Sequence, residues 1–346
     1  MRENRVVDDI AEGIAVQEIT LDPIDRRLVH ALQIEPRASW NELSPVIGVD
    51  ASTLARRWAR LREEGIAWVT GHPTGGQVSI MEIDCERAKM DAVIQELQRD
   101  PAVYVLDVTS GSRDLMAIVF APDIAGLSDY SLHRLGRLDG VRSVRTHLVN
   151  ETLIDGASWR LRALEPVEAQ GVRPPRPPRP RAAQRVPDDL RAAIEREVWA
   201  DGRVPVATIA ERTGFAPQRV ADALATLRAR GSLRFRTDMA RAASGWPIYT
   251  WYFVEAPAQV LEVARTAITS VPEVRLAITA ASRYNLILAV WLRRLADVNR
   301  FELALENALH GARIGDRAVV LRIAKHMNQT VGADTRATGL AGPASP

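Results

Sequence analysis

Between Asp50 and Arg62 the sequence reads DASTLARRWARLR, with Leu54, Trp58 and Leu61 at helical spacing on one side. With those three turned to a core, Ser52, Arg56, Ala59 and Arg60 occupy the free face, and Thr53 and Arg57 its flanks. Asp50 is a good N-cap, satisfying free backbone N–H groups at the helix start. Arginine and small hydroxyls on such a face suit the DNA major groove, where a guanidinium can bond guanine O6 and N7 bidentately. Arg57 and Arg62 would then hold phosphates. The same arginines suit equally a solvated face in an arginine-rich chain. A second stretch, from Ala216 to Gly231, repeats the apolar spacing with Val220, Leu224 and Leu227 and turns Gln218, Asp222, Ala225 and Thr226 outward, with Arg219 on the flank. Asp222 repels phosphate, although it could accept from cytosine N4, so this helix reads as the weaker of the two.

Other chemistries find little support. The six histidines, His30, His72, His133, His147, His310 and His326, are scattered without metal-ligand spacing, so no metal and no cofactor is expected. Cys85 is the only cysteine, which excludes an intrachain disulfide, and its neighbours Asp84 and Glu86 disfavour a reactive thiolate. The glycine-rich run from Gly71 to Gly76 lies between two strand-like segments and reads as a hinge rather than a phosphate loop. Trp246, Tyr249, Trp251 and Trp291 read as packing in the second half of the chain, with a subset lining a pocket as the alternative. Forty-five basic residues stand against 43 acidic ones, so a polyanion site must be a local patch. Only Lys89 and Lys325 are lysine, an arginine bias that reads as genomic rather than functional. No apolar run approaches the ~18 residues of a membrane span, which points to a cytoplasmic protein without a membrane partner.

These residues must be positioned by short helices and a sheet. Ile24, Leu28 and Leu32, then Leu43 and Ile47, then Leu54, Trp58 and Leu61 mark three amphipathic helices with glycines at 48 and 65. Shifted by 166 positions, the same phase recurs at Leu190, Ile194, Val198, Ile209, Val220, Leu224 and Leu227. After each trio the pattern reads βαββαβ, with segments at 78–83, 86–99, 103–109, 115–121, 125–138 and 144–149. The later set lies at 249–255, 258–270, 274–279, 286–292, 296–309 and 318–323. The expected fold class is α+β: two copies of a helix-turn-helix (winged-helix-like) domain, each followed by a ferredoxin-like βαββαβ domain. The expected boundaries are a disordered tail at 1–20, helix-turn-helix domains at 21–70 and 188–237, sheet domains at 77–164 and 247–328, and a disordered tail at 329–346. Between the halves, 165–187 carries RPPRPPRPR and reads as an extended, stiff linker. Each sheet is expected to leave one apolar face open for a partner sheet.

The segment LDPIDRRLVHALQIEPRASWNELSPVIGVDASTLARRWARLREEGI resembles the N-terminal helix-turn-helix of the Lrp/AsnC (leucine-responsive, feast/famine) transcriptional regulators. The following domain resembles the family's effector-sensing RAM domain, and the unit recurs after the linker. The resemblance implies a sequence-specific regulator that binds double-stranded promoter or operator DNA and senses an amino acid or related small molecule. It further implies self-association through the RAM sheets, as a homodimer or homotetramer of chains. The family's effector loop, commonly T-G-x-x-D, is Ser110-Gly111-Ser112-Arg113-Asp114 here. Asp114 would accept from an ammonium, and the Gly111 backbone or Arg113 would meet a carboxylate. The later counterpart, Ala281-Ser282-Arg283-Tyr284-Asn285, has lost threonine, glycine and acid, leaving Ser282, Tyr284 and Asn285 as its candidates.

Two alternatives stand beside this reading. Sirohaem decarboxylases share the two-domain build and can be fused in tandem, but rely on histidines near the start of the third sheet strand. Ser112-Arg113-Asp114 and Arg283-Tyr284-Asn285 supply none, so an enzyme is not expected. A nucleoid-structuring DNA binder without an effector is the other.

Overall fold

The computed structural model describes residues 19–180, 185–269 and 271–342. Three helices open it: α1 (Pro23–Ile34), α2 (Trp40–Ile47) and α3 (Ala51–Glu63). Each start is fixed by a side chain. Asp22 accepts from the Ile24 N–H at 2.8 Å, Ser39 and Glu42 form a reciprocal capping box, and Asp50 accepts from the Thr53 N–H at 2.9 Å. Gly48 ends α2 in the left-handed region at φ +77, where a β-carbon would be strained. Leu28, Leu32, Leu43, Ile47, Leu54 and Leu61 close the core between the three. A later trio, α7 (Asp188–Ala200), α8 (Val206–Thr213) and α9 (Pro217–Ala229), surrounds Leu190, Ile194, Ile209, Val220 and Leu227.

After each trio comes a strand, β1 (Ala67–Pro73) and β6 (Leu233–Met239), and these two pair antiparallel from Ala67 opposite Met239 to Pro73 opposite Leu233. The run from Gly71 to Pro73, expected as hinge, is therefore strand; only Thr74 to Gly76 form the turn.

The remaining strands are β2 (Gln77–Cys85), β3 (Val103–Thr109), β4 (Leu115–Ala121), β5 (Val141–Ile154), β7 (Ile248–Glu255), β8 (Val274–Ala280), β9 (Leu286–Leu292) and β10 (Arg313–His326). In the order β10-β3-β4-β2-β5-β8-β9-β7 they form a sheet that the β7–β10 pairing closes into a ring. Two long strands make this possible. β5 pairs with β2 through residue 148 and with β8 from Val149, while β10 pairs with β7 through Val319 and with β3 from Val320. The expected strands at 144–149 and 318–323 covered only the middle of each.

Helices α4 (Met90–Arg99) and α5 (Ile124–Asp129) cover one outer side, and α10 (Ala258–Thr269) and α11 (Asp297–Ala308) the other. Each strand thus has apolar residues on both faces: Trp251 and Phe253 point into the ring, Tyr252 and Val254 toward α10 and α11. The apolar sheet faces that were expected to recruit another chain are thereby turned onto each other within one chain. Self-association through the RAM sheets, as homodimer or homotetramer, has no open face of that kind among the described residues.

Three further expectations change. The helix expected at 125–138 is α5 followed by a π-helical turn, Tyr130–Leu135. The 165–187 segment is not wholly extended: Pro166 and Glu168 start a short helix, α6 (Pro166–Gly171), tied to α1 by Arg27 donating to Glu168 at 2.6 Å. Residues expected as tail from 329 onward include β11 (Gln329–Val331) and β12 (Ala337–Leu340), which extend the sheet beyond β10. Ala337 N–H donates to Gly65 O at 2.8 Å, so the segment is anchored beneath α3. The expected tail at 1–20 lies, through residue 18, outside the described residues.

Candidate functional site

On α3, Ser52 and Arg56 are exposed at the helix start, and Arg56 donates only to Thr53 Oγ1, at 3.2 Å. Asp50, bonded by the Ser52 hydroxyl and the Thr53 N–H, is held well below the usual carboxylate range, so the cap stays charged. The other three expected arginines are ion-paired within the chain. Arg57 donates to Asp22 and Asp25 at 3.2 and 2.9 Å, Arg60 also bonds the buried Asp25, and Arg62 donates to Asp201 at 2.6 Å. Helical spacing showed which way these arginines point but not the acids that meet them from α1 and the α7–α8 turn. In the free chain Arg57 and Arg60 thus tie α3 to α1, and Arg62 ties it to the α7–α8 turn.

On α9, Thr226 is buried, not on the free face, because the helix packs on both α7 and β6. Arg219 lies over the Phe215 ring at 5.4 Å. Asp222 is clasped bidentately by Arg179 of the proline–arginine segment, at 2.9 and 2.6 Å, and accepts from Gln218 at 3.2 Å. The hydrogen bonds from Arg179 hold the Asp222 carboxyl below its ordinary range.

The expected effector loop is filled by its own side chains. Asp114 accepts from the Cys85 N–H at 2.7 Å, and Ser110 exchanges hydrogen bonds with Val319. Gly111 takes φ +94. Arg113 is 4% exposed, stacks on Phe253 at 4.3 Å and is paired with Glu82 and Asp316. His147 bridges Glu82 at 2.7 Å and Ser282 at 2.8 Å, which brings the two expected loops into one buried network. Asn285 braces Ala256 through both its amide atoms and Tyr284 packs edge-on against Phe253. Glu82 and His147 escaped sequence reading; the available signal was an acid at an inward position of a strand apolar on both faces. Burial of Cys85, with Asp114 and Asp84 nearby, pushes its thiol up to about 11.

The open space lies elsewhere, where the β1–β6 ribbon crosses the mouth of the ring. A cavity of about 1010 Å³ there reaches Arg160, Arg162, Arg234 and Arg265. A deeper one of about 180 Å³ is lined by Tyr249 and Trp291 with Arg236, Arg275 and His326. His72 lines both, so it shares the smaller one with His326. Among the described residues no group of three or more His, Cys, Asp or Glu side chains is placed to hold a metal ion, and no helix is long and apolar enough to cross a membrane.

Residues 21–62 match the AsnC-type helix-turn-helix domain and residues 78–159 the Lrp/AsnC ligand binding domain. An uncharacterized HTH-type transcriptional regulator of Pyrococcus horikoshii is 32% identical over 139 residues, 38% of this chain and 88% of that protein. The chain belongs to the Lrp/AsnC family. It is thus an Lrp/AsnC-type, DNA-binding transcription regulator with the family's ligand-binding domain. The HTH-type transcriptional regulator LrpA of Pyrococcus abyssi is 25% identical over 141 residues, 38% of this chain and 99% of LrpA. Among solved structures, the siroheme decarboxylase NirDL overlays on 88% of this chain and 93% of its own with a TM-score of 0.58. At 12% identity this is a likeness of fold.

Proposed function

We propose that this Lrp/AsnC chain holds two of the family's units in tandem, 21–164 and 188–328, joined by the 165–187 segment, and reads operator DNA as one molecule. The single observation that carries the reading is the contrast between the two third helices. α3 offers a charged cap with Ser52 and Arg56 exposed, whereas on α9 Asp222 is occupied by Arg179. α3 is then the principal reader. Footprinting on the DNA flanking the gene supplies the operator. On that duplex Arg56→Ala should lose ~1–3 kcal/mol and blur preference at one base pair, as expected for a lost bidentate base contact. Gln218→Ala should lose less; a larger loss would make α9 the reader. Ligand sensing is assigned not to the filled Ser110–Asp114 loop but to the cavity under the β1–β6 ribbon.

A second reading, a siroheme-decarboxylase-like enzyme, draws on the overlay with NirDL along most of the chain. Histidines are absent from the loops at Ser112–Asp114 and Arg283–Asn285, which favours the regulator. Release of carbon dioxide from sirohaem by the purified protein would reverse that order.

A further inference from the structure

The third helices α3 and α9 are equivalent in space as well as in sequence, because the contacts between their trios are reciprocal. Arg37 donates to the carbonyls of Gly202 and Val204. Arg203, 166 positions after Arg37, donates to those of Pro36 and Ala38, which lie 166 positions before Gly202 and Val204. Arg62 meets Asp201 at 2.6 Å, and its counterpart Arg228 meets Glu35 at 2.8 Å, the same pair exchanged. The β1–β6 register sets Thr70 opposite Arg236, again 166 positions apart. Exchange of this kind is what a two-fold axis produces. It makes position 222 on α9 the partner of position 56 on α3, where the exposed guanidinium of the principal reader sits.

α9 carries Asp222 there, and a bare carboxylate in a DNA groove repels phosphate. The chain supplies a guanidinium from elsewhere. Arg179 binds both Asp222 oxygens, through Nε at 2.9 Å and Nη2 at 2.6 Å, and Gln218 donates to the same carboxylate at 3.2 Å. Gln218 is the counterpart of Ser52, so these side chains occupy on α9 the places that Ser52 and Arg56 hold on α3. A guanidinium has five N–H donors in a planar fork. Asp222 takes the Nε–Nη2 edge and fixes the plane, which leaves the Nη1–Nη2 edge pointing away from the carboxylate. The Arg179 side chain is 57% exposed, so that edge is open to a partner. Two parallel donors on one edge are what guanine O6 and N7 accept in the major groove.

The segment that brings Arg179 is suited to holding it there. Prolines at 174, 175, 177, 178 and 180 preset the backbone around it, so less chain entropy is lost in keeping it extended. Arg173, Arg176 and Arg179 recur at every third residue, the period of an extended proline helix, which aligns them along one edge. Arg176 meets Glu42, in the first turn of α2, at 3.3 Å before Arg179 reaches α9, so the segment is pinned on both trios. We propose that Arg179, buttressed by Asp222, is a base-reading residue of the α9 face, donating to a guanine in the major groove. The proposal rests on the DNA reading above and leaves α3 the principal reader, since Arg56 is carried by its own helix and Arg179 by a neighbouring segment.

The full chain is titrated at fixed salt against the footprinted operator, the same duplex with single base pairs changed on the α9 side, and a scrambled duplex. Arg179→Ala should weaken operator binding about tenfold and binding to the scrambled duplex far less, as for a lost base contact. Changing one guanine should weaken the unmodified protein by the same factor and leave Arg179→Ala unaffected. Asp222→Ala, which removes the buttress, should cost about as much as Arg179→Ala, and the double variant no more than either. Arg179→Lys keeps the charge without the fork and should not restore the preference for guanine. Tighter binding by Arg179→Ala would mean that the segment shields α9, and tighter binding by Asp222→Ala that Asp222 merely repels DNA. Equal weakening on every duplex would mean a phosphate contact, and each of these results overturns the proposal. Arg56→Ala on the same duplexes tells the failures apart: a loss there with none in Arg179→Ala sinks the proposal alone, whereas no loss in Arg56→Ala sinks the reading of α3.

Discussion

Asp107, inside the ring, accepts from Trp251 Nε1 at 2.9 Å, and burial pushes its carboxyl up to about 7, against the pull of Trp251, Tyr249 and Arg241. An aspartate in the unfolded chain ionises near pH ~4. Below that value both states hold the proton. Between about pH 4 and 7 the unfolded chain releases it while the native chain keeps it, so stability falls as pH rises through this window. Above about 7 the loss is complete, on the order of 4 kcal/mol. Asp107→Asn should flatten that fall in urea midpoints measured across the window; an unchanged slope would assign it to other groups. Arg57 gives a second expectation at this scale. Its bond to the 1% exposed Asp25 makes Arg57→Ala a stability change of about 1–2 kcal/mol, seen as a lowered Tm. A flattened salt dependence of DNA binding with unaltered Tm would instead restore it as a phosphate contact.

Elements show where sequence reading reaches its limit. The three-helix phase was legible because apolar residues at helical spacing, with Asp50 capping the third helix, leave few alternatives. The ends of β5 and β10 were not, since their outer halves carry charged residues such as Glu151 and Arg313 and are stabilised by pairing with β8 and β7, far away in sequence. The same holds for β11 and β12, whose polar sequence imitates a tail. Thr226 was misplaced because the helical wheel knows one core, and α9 packs against two neighbours. The proline–arginine composition that suggested an extended linker gave no sign that Arg179 would reach Asp222. That contact is expected to hold the segment down: in Arg179→Ala, trypsin should cut the full chain within 173–187 several-fold faster. Unchanged cleavage would mean that the segment is held by Arg176 on Glu42 or by α6 instead.

The two helix trios are also tied to each other, through arginines. Arg203 donates to Pro36 O and Ala38 O at 2.6 and 2.9 Å and stacks on Trp40 at 4.0 Å. In return, Arg37 reaches Val204 O at 2.9 Å, and Arg228 grips Glu35 with bonds of 2.8 Å. Below them β1 pairs with β6, and the ring closes only because β5 and β10 each pair with strands from both halves of the chain. Neither half keeps a complete core when the other unfolds: losing β7 to β10 would uncover Ile80, Met116 and Ile118 at once. Unfolding should therefore be one cooperative event despite a length at which separate domains commonly melt apart. Near-ultraviolet dichroism, reporting Trp251 and Trp291 in the ring, and hydrogen exchange of β2 and β4 amides should give coincident urea transitions. Two resolved transitions would show that the halves fold independently, and the closed ring would then be an association of two stable pieces rather than a single core.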